Sequence, residues 1–179
     1  MNRNFTAGRL RRTAMFILLA TGLCCGADEP AVRATLQPAG RRQPAPGFVL
    51  RDSNGKTLDL RQYRGNVVLL DFWATWCHGC KQELPWFSDF QLRYKGQGLR
   101  VIGASTDDEG WKVVQPFLAK ANIPYPIVVS DEAMRKNYRI ENMPDAFLID
   151  RLGRIAAVYV GLVDKENIET NIQTMLEQR

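Results

Sequence analysis

Two cysteines with two residues between them, Cys77 and Cys80, stand where an apolar run meets a helix, and no other feature constrains the chain as strongly. The run 67–72 is apolar except for Asp71, the pattern of a strand buried on both faces. Trp73-Ala74-Thr75-Trp76 follows as a short aromatic loop, and a helix is predicted from Gly79 to about Tyr94, stopped by Gly96 and Gly98. A CxxC pair is half of a zinc site, but there is no second pair and His78 is the only histidine. Attachment of a c-type haem needs histidine directly after the second cysteine, where Lys81 stands. What remains is the two-electron cycle between a dithiol and a disulfide.

Position assigns roles within the pair. Cys77 falls at the helix start, where unpaired backbone N–H groups and the helix field stabilise a thiolate, so it is the attacking sulfur. Cys80 lies about one turn on and can reach a mixed disulfide to release the substrate, which makes it the resolving sulfur. A protonated His78 would add positive charge beside Cys77 and make the pair more oxidising; the alternative is a plain exposed turn residue. Gly79 gives a less rigid helix entrance than proline would. On a buried strand Asp71 would have a raised pKa and, behind Cys80, could accept that thiol's proton; otherwise it is a strand-end residue reaching solvent. Glu83, three residues after Cys80 on the same helical side, is a second candidate for proton traffic, with a solvated helix acid as its alternative.

Compartment follows from the N-terminus. Residues 1–13 are polar and basic, residues 14–23 are apolar, and small residues continue to Ala27, the order of an export signal. The 14 residues from Ala14 to Ala27 fall short of the roughly 17–25 a spanning helix needs, so cleavage is expected near Ala27, with a retained membrane anchor as the alternative. Leu23 before Cys24 and Cys25 makes a poor lipidation site, and Arg11-Arg12 only a weak twin-arginine signal. The formal charge of +5 mostly belongs to this leader: Arg3, Arg9, Arg11 and Arg12 lie within residues 1–27, which hold no acid. The rest is almost neutral and shows no basic stripe interleaved with aromatics, so nucleic acid is not an expected partner.

Residues 28–45, rich in Pro, Ala, Arg and Gln with no apolar period, read as a flexible linker. Beyond it, segments 48–50 and 57–60 around a turn at Asp52–Gly55 suggest a β-hairpin. Strands are expected at 99–104, 125–129, 146–149 and 155–160, and helices at 111–119, 132–138 and 168–176. In the CxxC helix, Leu84, Phe87, Phe90 and Leu92 supply the apolar face. Strands that first alternate with helices and then form a hairpin before a closing helix imply one α/β domain, a mixed sheet covered on both faces.

The stretches 46–50, 54–56 with Leu60, 65–77, Glu83-Leu84-Pro85, Met143-Pro144-Asp145-Ala146-Phe147-Leu148-Ile149-Asp150 and Gly153-Arg154-Ile155 together resemble the thioredoxin superfamily, and within it the exported TlpA/ResA-like thiol–disulfide oxidoreductases. The resemblance covers residues 46–179. It implies a thioredoxin fold with an N-terminal hairpin and a central insertion at about 103–125, and it places Pro144 on the family's cis-proline, opposite the cysteines. Met143 would then offer backbone groups to an extended client, beside Trp76, His78 and Gly79. Asp71 matches the buried acid of thioredoxins, whereas His78-Gly79 departs from the family's proline-containing pairs. The implied activity is reduction of disulfides in client proteins in the periplasm, apocytochrome c among the candidates, with electrons from a membrane thiol reductase and no added cofactor. A disulfide oxidant or isomerase is the alternative His78 supports. A non-enzymatic copper protein using Cys77, Cys80 and His78 or Met143 is the alternative outside enzymes, and a peroxidase is a further one.

Overall fold

The computed structural model describes Met1 and residues 31–178. The leader expectations, apart from Met1 itself, fall outside them. A two-stranded antiparallel hairpin, β1 (Val49–Arg51) and β2 (Thr57–Asp59), precedes β3 (Val67–Trp73) and α1 (His78–Tyr94). Then come β4 (Leu99–Ser105), α2 (Trp111–Leu118), β5 (Ile127–Val129), α3 (Glu132–Tyr138), β6 (Asp145–Ile149), β7 (Ile155–Val160) and α4 (Lys165–Glu177). The main sheet has the order β5-β4-β3-β6-β7, with β3, β4 and β5 parallel, β6 antiparallel to β3, and β7 antiparallel to β6. This is the expected thioredoxin-like mixed sheet. The helix–strand unit α2–β5 lies between β4 and α3, a few residues later than the insertion expected at 103–125.

Every residue of β3 is buried, because alternate side chains feed two separate cores. Val67, Leu69 and Trp73 pack with Phe87 and Phe90 of α1 and Ile168 and Ile172 of α4. Val68, Leu70 and Phe72 pack with Phe48, Leu58, Met134 and Tyr138 beneath the hairpin and α3. Packing on both faces fixes the register of the central strand, from whose end the cysteine loop starts.

Two expectations are corrected. Leu92 is not part of the α1 face: it is 68% exposed, and Tyr94 and Gln91 are buried instead. The flexible linker is also revised. Within the described part of 28–45, Gln37 N–H bonds Ala156 O at 2.8 Å, Ile155 N–H bonds Gln43 O at 2.8 Å, and Val32 bridges Val163. Arg42 is buried against Asp150, with Nη1 3.2 Å from Oδ2. This strap uses backbone hydrogen bonds along β7, one buried ion pair and a short alternation of Val32, Ala34 and Leu36 packed against the core, a pattern too brief to stand out from the surrounding Pro, Arg and Gln.

Candidate active site

Cys77 closes the loop after β3 and caps α1, its backbone extended and its sulfur accepting the Cys80 N–H at 3.1 Å. A sulfur in this place sits where the first turn's N–H groups and the helix dipole favour negative charge. Cys77 and Cys80 are joined as a disulfide with Cα atoms 5.4 Å apart. Cys77 is 6% exposed and Cys80 1%, so an incoming sulfur meets Cys77 first. Trp76 projects beside it at 67% exposure, His78 is exposed and Gly79 half-buried.

The aromatic loop is held by the residues that follow β4. Asp107, buried, accepts the Thr75 N–H at 3.0 Å, the Thr75 hydroxyl at 2.6 Å and the Ser105 hydroxyl at 2.9 Å. Thr106 N–H bonds Trp73 O at 2.8 Å, and its hydroxyl donates to the Met143 sulfur at 2.7 Å. The Met143–Pro144 peptide bond is cis. Pro144 Cδ lies 3.5 Å from where a Cβ on Gly79 would stand, so the proline packs on the residues between the cysteines.

Behind this surface lie three buried carboxyl groups. Asp71 stands in the middle of β3, in register with Gly103 of β4 and Ala146 of β6, and is 1% exposed, which sets aside the strand-end alternative. Neither of its oxygens has a hydrogen-bond partner among the described residues. Burial, then the neighbouring Glu83, pushes its pKa well above the carboxylate range. Glu83 is fully buried rather than solvated; its Oε1 accepts the Val163 N–H at 2.7 Å and its Oε2 has no partner. Burial pushes it up to about 8, against the lowering effect of the Val163 bond, with Asp145 adding to the rise. Asp145, directly after the cis-proline, is raised by burial to about 6. Asp71 and Glu83 therefore keep their protons near neutral pH, whereas Asp145 keeps its proton only below about 6.

The structure thus brings Cys77, Cys80, Trp76, His78, Gly79, Met143 and Pro144 to one surface, with Asp71 and Glu83 beneath it. Sequence reasoning missed Asp107, Tyr125, the Val163 amide and Asp145 as a third acid. Tyr125 is buried just before β5, and Asp71 raises its pKa further after burial itself. Asp145 was legible from its place beside Pro144; a backbone amide such as that of Val163 leaves no trace in side-chain identity. Among the described residues no three His, Cys, Asp or Glu side chains gather as a metal cluster would require.

Together the fold and the site define a thiol–disulfide oxidoreductase of the thioredoxin superfamily. Comparison with known proteins makes this more specific: residues 42–158 match the AhpC/TSA family, and the chain belongs to it as a ResA/TlpA-like member. It is 33% identical over 132 residues to the thiol-disulfide oxidoreductase ResA of Geobacillus kaustophilus (73% of this chain, 75% of that one). It is 31% identical over 139 residues to ResA of Bacillus subtilis (77% of each). A Chlorobium tepidum structure described as a thiol:disulfide interchange protein DsbE is similar at TM-score 0.72 and 32% identity, over 79% of this chain and 99% of that one.

Proposed function

We propose that this oxidoreductase works as an exported reductant of protein disulfides. The Cys77 thiolate attacks one sulfur of a client disulfide, and the other client sulfur leaves as a thiolate and takes up a proton. Cys80, losing its proton to Glu83 in the fraction of molecules where that carboxyl is ionised, a fraction that grows as pH rises toward about 8, then attacks Cys77 Sγ and expels the second client thiolate. Two electrons pass to the client, and the Cys77–Cys80 disulfide is returned to the dithiol by an external thiol reductase, a membrane protein if the leader delivers the chain to the periplasm. Trp76, Gly79, Met143 and Pro144 form the surface an extended client segment lies on. A cysteine-bearing chain awaiting haem, such as apocytochrome c, is a client of the right chemistry.

The observation that carries the dithiol exchange is the capping geometry: the more accessible sulfur is the one held at the helix N-terminus, and the buried sulfur shares its helix with a buried carboxyl. The test is the equilibrium reduction potential of the pair against defined glutathione ratios. A value below about −200 mV supports a reductant, and a value near about −120 mV identifies a disulfide donor and overturns the direction proposed.

A further inference from the structure

The loop Gly161–Asp164 between β7 and α4 meets three parts of the molecule. Gly161 N–H bonds Pro144 O at 2.7 Å, and Val163 N–H bonds Glu83 Oε1 at 2.7 Å. On the opposite side lies Val32: its N–H donates to Leu162 O at 2.6 Å, and its carbonyl accepts the Asp164 N–H at 2.8 Å. This is a parallel bridge centred on Val163. Peptide groups alternate in direction along extended chain, so fixing Leu162 O and Asp164 N–H on one side aims the Val163 N–H at the other. Neighbouring contacts reinforce the clamp. Ala34 N–H bonds Asn167 Oδ1 at 2.9 Å, Asn171 Nδ2 donates to Ala34 O at 2.8 Å, and Arg33 pairs with Asp164 at 2.6 Å. Val32 also closes over Gly161, where a Cβ would come within 3.2 Å of Val32 Cγ2.

The Val163 N–H is the single hydrogen-bond donor Glu83 has among the described residues. Oε2 is unpartnered, and the ionisable groups coupled to the carboxyl are Asp71 from β3, Asp145 from β6 and the Tyr125 hydroxyl; Cys80 precedes Glu83 by three residues on α1. The Asp164 carboxylate turns instead to Asn167 N–H and Arg33. With acids on two sides, one well-aimed N–H is what favours the ionised form.

We propose that Val32–Ala34 is a positioning element of the redox site, which aims the Val163 amide at Glu83 by holding the residues on either side of it. This rests on the reading of Glu83 as a proton carrier for Cys80. The segment that composition marks as a linker is then a working part of the proton path.

The test compares the full chain with Val32→Pro, which lacks the N–H bonded to Leu162, and Asn167→Ala, which removes the acceptor of the Ala34 N–H. Glu83 ionisation is followed by its carboxyl carbon-13 resonance, assigned with Glu83→Gln, together with the pH profile of alkylation in the reduced protein. In both variants Glu83 is expected to ionise at higher pH, by on the order of half a unit, the size of a weakened hydrogen bond to a charged group. A Val32→Pro protein in which Glu83 ionises at the wild-type pH overturns the proposal; should that variant not fold, the Asn167→Ala result decides by the same criterion. Reduction of a disulfide substrate such as insulin by the wild-type chain is measured separately. Its absence would defeat the functional reading while leaving the Glu83 titration to judge the clamp.

Discussion

Replacing Glu83 by glutamine should stabilise the oxidised protein at neutral pH, and by an amount that grows with pH. In the unfolded chain Glu83 ionises near its ordinary value of 4.5, whereas in the fold it keeps its proton up to about 8. Folding must therefore take up a proton, and the stability this group contributes is complete below about pH 4.5 and is lost as pH rises toward 8. At pH 7 the interval is about 2.5 units, worth roughly 3 kcal/mol at 1.36 kcal/mol per unit. Glutamine keeps an oxygen for the Val163 N–H and places its amide where the unpartnered Oε2 now lies. It replaces one buried neutral group by another and has no ionisation to suppress. Urea denaturation of both oxidised proteins at pH 5, 6, 7 and 8 checks this, since the disulfide removes thiol titration and Asp71 and Asp145 are common to both. The difference should be small at pH 5 and reach about 2–3 kcal/mol at pH 7. A difference that does not change between pH 5 and 8 would refute the reasoning, because it would mean Glu83 is ionised in the fold across that range.

Two further outcomes follow from the packing around the site. Gly103 lies opposite Asp71, where a Cβ would collide with Ile127 Cδ1 and press Trp73 Nε1 at 3.0 Å; Gly103→Ala should cost about 1–3 kcal/mol in chemical denaturation. Asp107→Ala removes the acceptor for both the Thr75 N–H and its hydroxyl. It should destabilise by about 1–3 kcal/mol and broaden the amide resonances of Thr75–Cys77, and unchanged spectra there would show that the aromatic loop does not depend on that anchor.

The cysteine pair, its place after a buried strand, and the order of strands and helices were all legible from residue identity. Each depends on local pattern: apolar continuity at 67–72, a helix bounded by glycines, turn residues at Asp150–Arg154. Asp71 and Glu83 could be named as acids near Cys80 on spacing alone, since a strand and the following helix place them within one segment. What spacing could not supply was their environment. Whether Glu83 faces water or the core depends on α4 and the Val163 loop, eighty residues further along the chain.

The strap shows the limit most clearly. Residues 31–45 hold only a short alternation of apolar residues, Val32, Ala34 and Leu36, packed at the edge of the core; the rest is held by backbone hydrogen bonds to the β7 region and by Arg42 buried against Asp150, more than a hundred residues away. Asp107 and Tyr125 likewise acquire meaning only when the α2–β5 region packs against the aromatic loop and Asp71. The sequence by itself determined the redox chemistry, because two sulfurs at a strand–helix junction have few other uses. The tertiary structure decided where the protons go, because ionisation of a buried carboxyl depends on solvent exclusion and on donors contributed by distant segments.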